Sequence, residues 1–137
     1  MKSYRVVPHT SAIALELSGS DWAAFFEAAE EGLLHLYAPE PPPAFRGTRD
    51  ISLKADGPEG LLVAWLEELI YLIGTLRWIP SVCRVVEATG ERLRVRLKGG
   101  PLAEGRLERE IKAATFGNLS VRPAPGGGWT ATVILDV

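Results

Sequence analysis

Apolar and polar residues alternate, then shift to helical spacing, then alternate again along this chain. Tyr4 to Val7 and Ile13 to Leu17 read as two short strands, with Ile13, Leu15 and Leu17 on one face. Pro8-His9-Thr10-Ser11 lies between them as a turn or bulge. Trp22, Phe25, Phe26, Ala29, Leu33 and Leu36 then fall at helical spacing, with Glu27, Glu30 and Glu31 on the other side. Ser18, Ser20 and Asp21 offer caps for this helix, Pro39 stops it, and Pro41-Pro42-Pro43 predicts a stiff loop. Thr48 to Ala55 alternates as a strand. Asp56-Gly57-Pro58-Glu59 opens a second helix, with Asp56 as cap and Glu59 at the positive end of the dipole. Leu61, Leu62, Trp65, Leu66, Leu69, Ile70, Leu72 and Ile73 leave this helix little polar surface, and Gly74 is its expected stop. After Pro80, Val82 to Ala88 and Arg92 to Lys98 flank Thr89-Gly90-Glu91 as a hairpin. Glu110 to Phe116, Leu119 to Arg122 and Trp129 to Val137 complete the strand set, separated by turns at Gly117-Asn118 and Pro123 to Gly128. The order predicts an α+β fold: a mixed, largely antiparallel sheet with two helices packed on one face.

Composition sets bounds on this picture. A chain of 137 residues fits one domain, 1–137, and buries enough surface to need no disulfide or metal staple. Its single cysteine, Cys83, and an N-terminus that enters a strand directly predict a reducing, cytoplasmic setting. No apolar run reaches the ~18 residues of a membrane span, so no membrane partner is expected. A net charge of -2 excludes a surface built throughout for nucleic acid, and DNA is not an expected partner.

Catalytic constellations are scarce. There are two histidines, His9 and His35, and none of the glycine-rich phosphate loops, His-Glu-x-x-His or Cys-x-x-Cys motifs. His35 suits the negative end of the first helix, and Cys83 reads as a small core residue. Arg92, Arg94, Arg96 and Lys98 share one strand face. That stripe can meet phosphates or an acidic partner, or be a solvated face paired with Glu87 and Glu91. No aromatic residues are interleaved for base stacking. Lys112 interrupts an otherwise apolar strand, pointing to solvent or into a site near the chain end. In Trp129 to Val137 a strand runs to the last residue. The Asp136 and Val137 carboxylates are hard oxygen ligands for Ca²⁺ or Mg²⁺.

Four segments together resemble the archease family. Tyr4 to Leu15, with its His9-Thr10 pair, resembles the family's strand, His-Thr-Ala-Asp and strand opening. Leu61 to Leu72 is similar to its central helix. Glu110-Ile111-Lys112-Ala113-Ala114-Thr115-Phe116 resembles the Glu-x-Lys-Ala-x-Thr-Tyr strand, and Trp129 to Val137 its closing strand ending in Leu-Asp-Val. The resemblance spans the chain in order. It implies a non-enzymatic accessory protein whose partner is a GTP-dependent tRNA-splicing ligase, which seals RNA ends carrying a 3′-phosphate or cyclic phosphate. The family promotes guanylation and turnover of that ligase. It also implies a divalent cation such as calcium, held between the motif aspartate, the C-terminal aspartate and the final residue, and an essential lysine.

Carried onto this chain, the lysine is Lys112, the aspartate Asp136 and the final residue Val137, with His9 a further functional position. The motif aspartate is replaced by Ala12, Ala14 stands for a glycine, and Phe116-Gly117 replaces Tyr-His. A methyl group cannot ligate a metal, so the expected cation site is weak or absent. The second reading is a divergent paralogue of the same fold without metal, binding another protein or RNA through the basic sheet face.

Overall fold

The computed structural model describes residues 1–8, 11–39, 47–102 and 107–137. His9, Thr10 and the Pro41–Pro43 loop lie outside the described residues. Strands β1 (Lys2–Pro8) and β2 (Ala12–Gly19) pair antiparallel, and helix α1 (Trp22–Tyr37) follows. Asp21 caps α1, its carboxylate accepting the Ala24 N–H at 2.8 Å. Ala38, in the left-handed conformation, ends it just before Pro39. Strand β3 (Gly47–Lys54) leads into helix α2 (Pro58–Ile70), which continues as a π-helical turn over Tyr71–Thr75. Then come β4 (Trp78–Ala88), β5 (Arg92–Pro101), β6 (Ala113–Thr115), β7 (Arg122–Pro123) and β8 (Trp129–Asp136).

The α+β class and the two helices stand as expected. The strands divide between two sheets, and every pairing among the described residues is antiparallel. The first sheet has the order β1-β2-β8-β6, with β7 also on β8; the second has the order β3-β5-β4. The interior strands, β2 and β8 in the first sheet and β5 in the second, each run against both neighbours. Helix α1 packs on β2 and β4, and α2 on β3 and β6, so each helix touches both sheets. Trp65 of α2, fully buried, donates its indole N–H to the Phe26 carbonyl of α1 at 2.9 Å. One hydrophobic core gathers Ile13, Leu15 and Leu17, Leu93, Val95 and Leu97, and Ala131, Val133 and Leu135. Among the described residues no helix is long and apolar enough to cross a membrane.

Several local expectations change. Gly57, not Asp56, is the α2 cap, and it makes no side-chain cap bond. Gly74 falls inside the π-turn, and the chain breaks at Arg77, which has φ +54°. Strand β4 begins at Trp78, ahead of Pro80, with a register shift just beyond the proline. There the Gly99 Cα lies so close to the Ile79 carbonyl that a Cβ has no room. The strands expected over 110–116 and 119–122 shrink to Ala113–Thr115 and Arg122–Pro123. Two carboxylates of α2 reach the backbone here. Glu67 accepts the Ala114 N–H at 3.1 Å, and Glu59 accepts the Val121 N–H at 2.8 Å. Glu59 thus takes up a donor of 119–121 that would otherwise look for a strand partner, while Glu67 braces β6 from its free side.

Candidate functional site

The site grows from the end of β8. Asp136 stands directly opposite Ala12 of β2 on one side and Ala113 of β6 on the other. The Lys112 N–H donates to the Asp136 carbonyl at 2.8 Å. Three positions far apart in sequence thus meet on adjacent strands. The even-numbered residues of β8 face away from the core, so Asp136 is exposed, and Val137 packs against the core edge.

Lys112 is also exposed but serves a different place. It lines a cleft of about 690 Å³ with Tyr37, Gly74, Arg77, Arg109 and Glu110, and Asp136 does not line it. Tyr37 is buried, and among the described residues its hydroxyl has no hydrogen-bond partner. Burial, then the charges of Glu110 and Glu67, push that phenol up to about 12. It therefore stays a neutral donor near three cationic residues. Neither Arg77, Arg109 nor Tyr37 stands out in the sequence, because the cleft joins the ends of α1, the π-turn and the segment before β6.

The basic stripe is laid out as its alternation predicts. Arg92, Arg94, Arg96 and Lys98 are exposed on β5 while Leu93, Val95 and Leu97 are buried. Arg96 pairs with Asp50 of β3, Nε to Oδ1 at 2.8 Å and a second bond at 3.2 Å, where Glu87 and Glu91 were the expected partners. That hydrogen bond holds the Asp50 carboxyl below the usual carboxylate range. Glu87 instead lies opposite Arg94.

Glu30 departs from its expected polar face: it is 4% exposed. Burial first, then repulsion from Glu31, raises its carboxyl to about 7. Its spacing carried the signal, since Glu30 is four residues after Phe26 and three before Leu33. Cys83 is half-buried, and burial, with Glu30 and Glu27 nearby, pushes its thiol up to about 12. It is a neutral packing group, not a poised nucleophile. His35 lies in the last turn of α1, 5.6 Å from the Tyr4 ring.

A family model described as the Archease protein family matches residues 4–137. The chain belongs to the archease family. It is 29% identical to the protein archease of Methanosarcina mazei, covering 99% of this chain and 97% of the relative. It is 28% identical to the protein archease of Thermococcus gammatolerans, with full coverage of both. In fold it is similar to the crystal structure of a Thermotoga maritima archease, described as a possible chaperone. That likeness has a TM-score of 0.70 at 23% identity and covers 96% of this chain and 94% of the other. The solution structure of Methanobacterium thermoautotrophicum protein 1598 gives a TM-score of 0.69 at 24% identity, covering 98% of each.

Within the archease fold, the residue that replaces the motif aspartate lies directly across the sheet from Asp136. Hard divalent cations take several oxygen ligands. Of the three positions that the resemblance implies, Ala12, Asp136 and Val137, Ala12 brings only a methyl group. Among the described residues no three His, Cys, Asp or Glu side chains gather into a metal-holding group. The residues present fall one carboxylate short of the cation site that the resemblance implies.

Proposed function

We propose that this chain is a non-catalytic accessory protein of a GTP-dependent tRNA-splicing ligase, promoting its guanylation and turnover by direct contact. Membership of the archease family supports an accessory role. The observation that carries the finer reading is the meeting of Lys112 and Asp136, two of the positions matching the family's functional residues, through a backbone hydrogen bond of 2.8 Å. The Lys112 ammonium opens onto a cleft rimmed by Arg77 and Arg109, a surface suited to a partner's acidic groups. Its position beside the last strand fits action on a partner protein better than chemistry of its own, since among the described residues there no nucleophile is joined to a base.

The test is guanylation of the cognate ligase with labelled GTP, with and without this protein. Wild type accelerates the reaction, and Lys112→Ala loses most of that acceleration while keeping its melting temperature. No acceleration by wild type sinks the reading. Ala12 favours a second reading, a divergent member serving another partner, and that null result would support it.

A further inference from the structure

The outer face of the second sheet carries a charge excess that the rest of the chain does not share. Lys54 of β3, Arg84 of β4 and Arg92, Arg94, Arg96 and Lys98 of β5 are all exposed, against Asp50 and Glu87. That is six cations to two carboxylates on the strands themselves, with Asp56 and Glu91 beside Lys54 and Arg92 at one end, in a chain whose net charge is -2. Register sharpens the point. Arg84 stands directly opposite Arg96, and Lys54 directly opposite Arg92. Like charges directly opposite one another in a sheet are destabilising. Asp50 relieves one of these arginines from the β3 side, and its carboxylate is already engaged. Arg84, Arg94 and Arg96 border one shallow groove of about 470 Å³ with Asp50 and Ser52.

We propose that this face binds the phosphodiester backbone of structured RNA. The inference goes beyond the ligase reading and stands or fails separately from it. Four cations at every second residue of β5 form a row about 20 Å long. Duplex nucleic acid carries one negative charge per ~1.7 Å of axis, so such a row meets many phosphates at once. A phosphate in the groove also sits between Arg84 and Arg96 and turns their repulsion into shared attraction. The face carries no aromatic side chain, so it contacts backbone and does not stack on bases. The discrimination from DNA rests on the 2′-hydroxyl. The wide, shallow minor groove of RNA presents phosphates and 2′-hydroxyls together to a broad sheet face. Thr48 stands opposite Lys98 and Ser52 opposite Arg94, placing hydroxyl partners for 2′-hydroxyls beside the cations.

Fluorescence anisotropy with a labelled RNA hairpin, titrated at several salt concentrations, tests the assignment. Wild type binds with strong salt dependence. Arg84→Glu combined with Arg94→Glu weakens binding about tenfold or more and lowers the salt slope by about 2. Arg122→Glu, on β7 of the other sheet, changes affinity by less than about twofold. Arg84→Glu replaces a like-charge pair with an opposite pair, so its melting temperature is equal to or above that of wild type. Loss of binding in that variant alone is therefore not misfolding. Binding unchanged in the double variant, or insensitive to salt, overturns the proposal. So does a matched DNA duplex bound as tightly as RNA, or polyglutamate bound more tightly, which would assign the face to an acidic protein.

Discussion

The two sheets follow the same rule of burial and differ in what they do with their free faces. On the first, Leu15, Leu17, Val133 and Leu135 point inward, and on the second, Leu93, Val95 and Leu97 do. Outward, the first sheet is small and nearly neutral: Ser18, Thr130 and Thr132, with Arg5 paired to Glu16 at 2.7 Å. The second carries the basic row with its like-charge pairs. The inward alternation alone accounts for folding, because it supplies the apolar burial. The outward residues answer to something else. On the first sheet that is the Ala12–Asp136 row at one end, and on the second it is charge.

Glu30 ties the two sheets together and gives the largest expected effect. It lies on the buried side of α1, and its charge reaches both Lys2 of β1 and Cys83 of β4. Its folded-state carboxyl is raised from 4.5 to about 7, chiefly by burial. A group raised in this way favours the folded state when protonated. Its stabilising contribution is full below the unfolded value and is lost as pH rises through about 7. The shift corresponds to at most about 3 kcal/mol. Urea melts followed by tryptophan fluorescence at about pH 5 and about pH 8 measure it. Glu30→Gln flattens the pH slope and is more stable than wild type at the higher pH. Trp129 reports the first sheet and Trp78 the second, and both should lose stability together. An unchanged pH slope in the variant, or two separate transitions, would break the link between the sheets.

How much of this was legible in the sequence depends on how local each cause is. The alternation of β2, β5 and β8 and the Asp21 cap are written in neighbouring residues, and they form as read. Glu30 was legible by spacing, yet grouping it with Glu27 and Glu31 hid its burial. Segment 119–121 has strand-like composition, but Glu59 arrives from α2 and takes the Val121 donor. No local pattern contains that. The division into two sheets is likewise a matter of which distant strands meet. Asp50 as the partner of Arg96 comes from a strand more than forty residues away. For the candidate site, Lys112 and Asp136 stood out on their own strands, and the resemblance gave them roles. Their meeting with Ala12 follows from the β2-β8 and β6-β8 registers.

That register makes a second, smaller prediction on the first sheet. If the end of β8 differs from a family cation site only by the missing carboxylate, Ala12→Asp restores one directly opposite Asp136. In millimolar calcium the variant should then melt at a higher temperature than in chelator, by the linkage of a bound ion to the folded state. At a calcium concentration ten times the dissociation constant the stabilisation is about 1.4 kcal/mol. Wild type should respond much less. Differential scanning fluorimetry of both proteins, with magnesium as a second arm, reads this directly. A wild-type shift as large as that of the variant would mean that other groups already supply the ligands, and the contrast drawn at Ala12 would be wrong.

The smallest effect is the salt dependence of stability, and it addresses the outward faces themselves. At low ionic strength the second sheet holds Arg84 against Arg96 and Lys54 against Arg92. Screening weakens repulsion between exposed charges just as it weakens attraction. Added salt should therefore relieve the second sheet while loosening the Arg5–Glu16 pair of the first. The two responses have opposite signs, so wild type alone gives only their difference. Arg84→Ser with Lys54→Ser removes the repulsive part and should leave a protein that salt destabilises slightly. Arg5→Gln with Glu16→Gln removes the attractive part and should leave one that salt stabilises. Melting temperatures across a series from low to about 0.5 M sodium chloride, where the screening length falls well below 10 Å, separate them. Equal responses in the two double variants would mean that the basic face is already neutralised within the chain, and the reason for expecting an anionic partner there would fall with it.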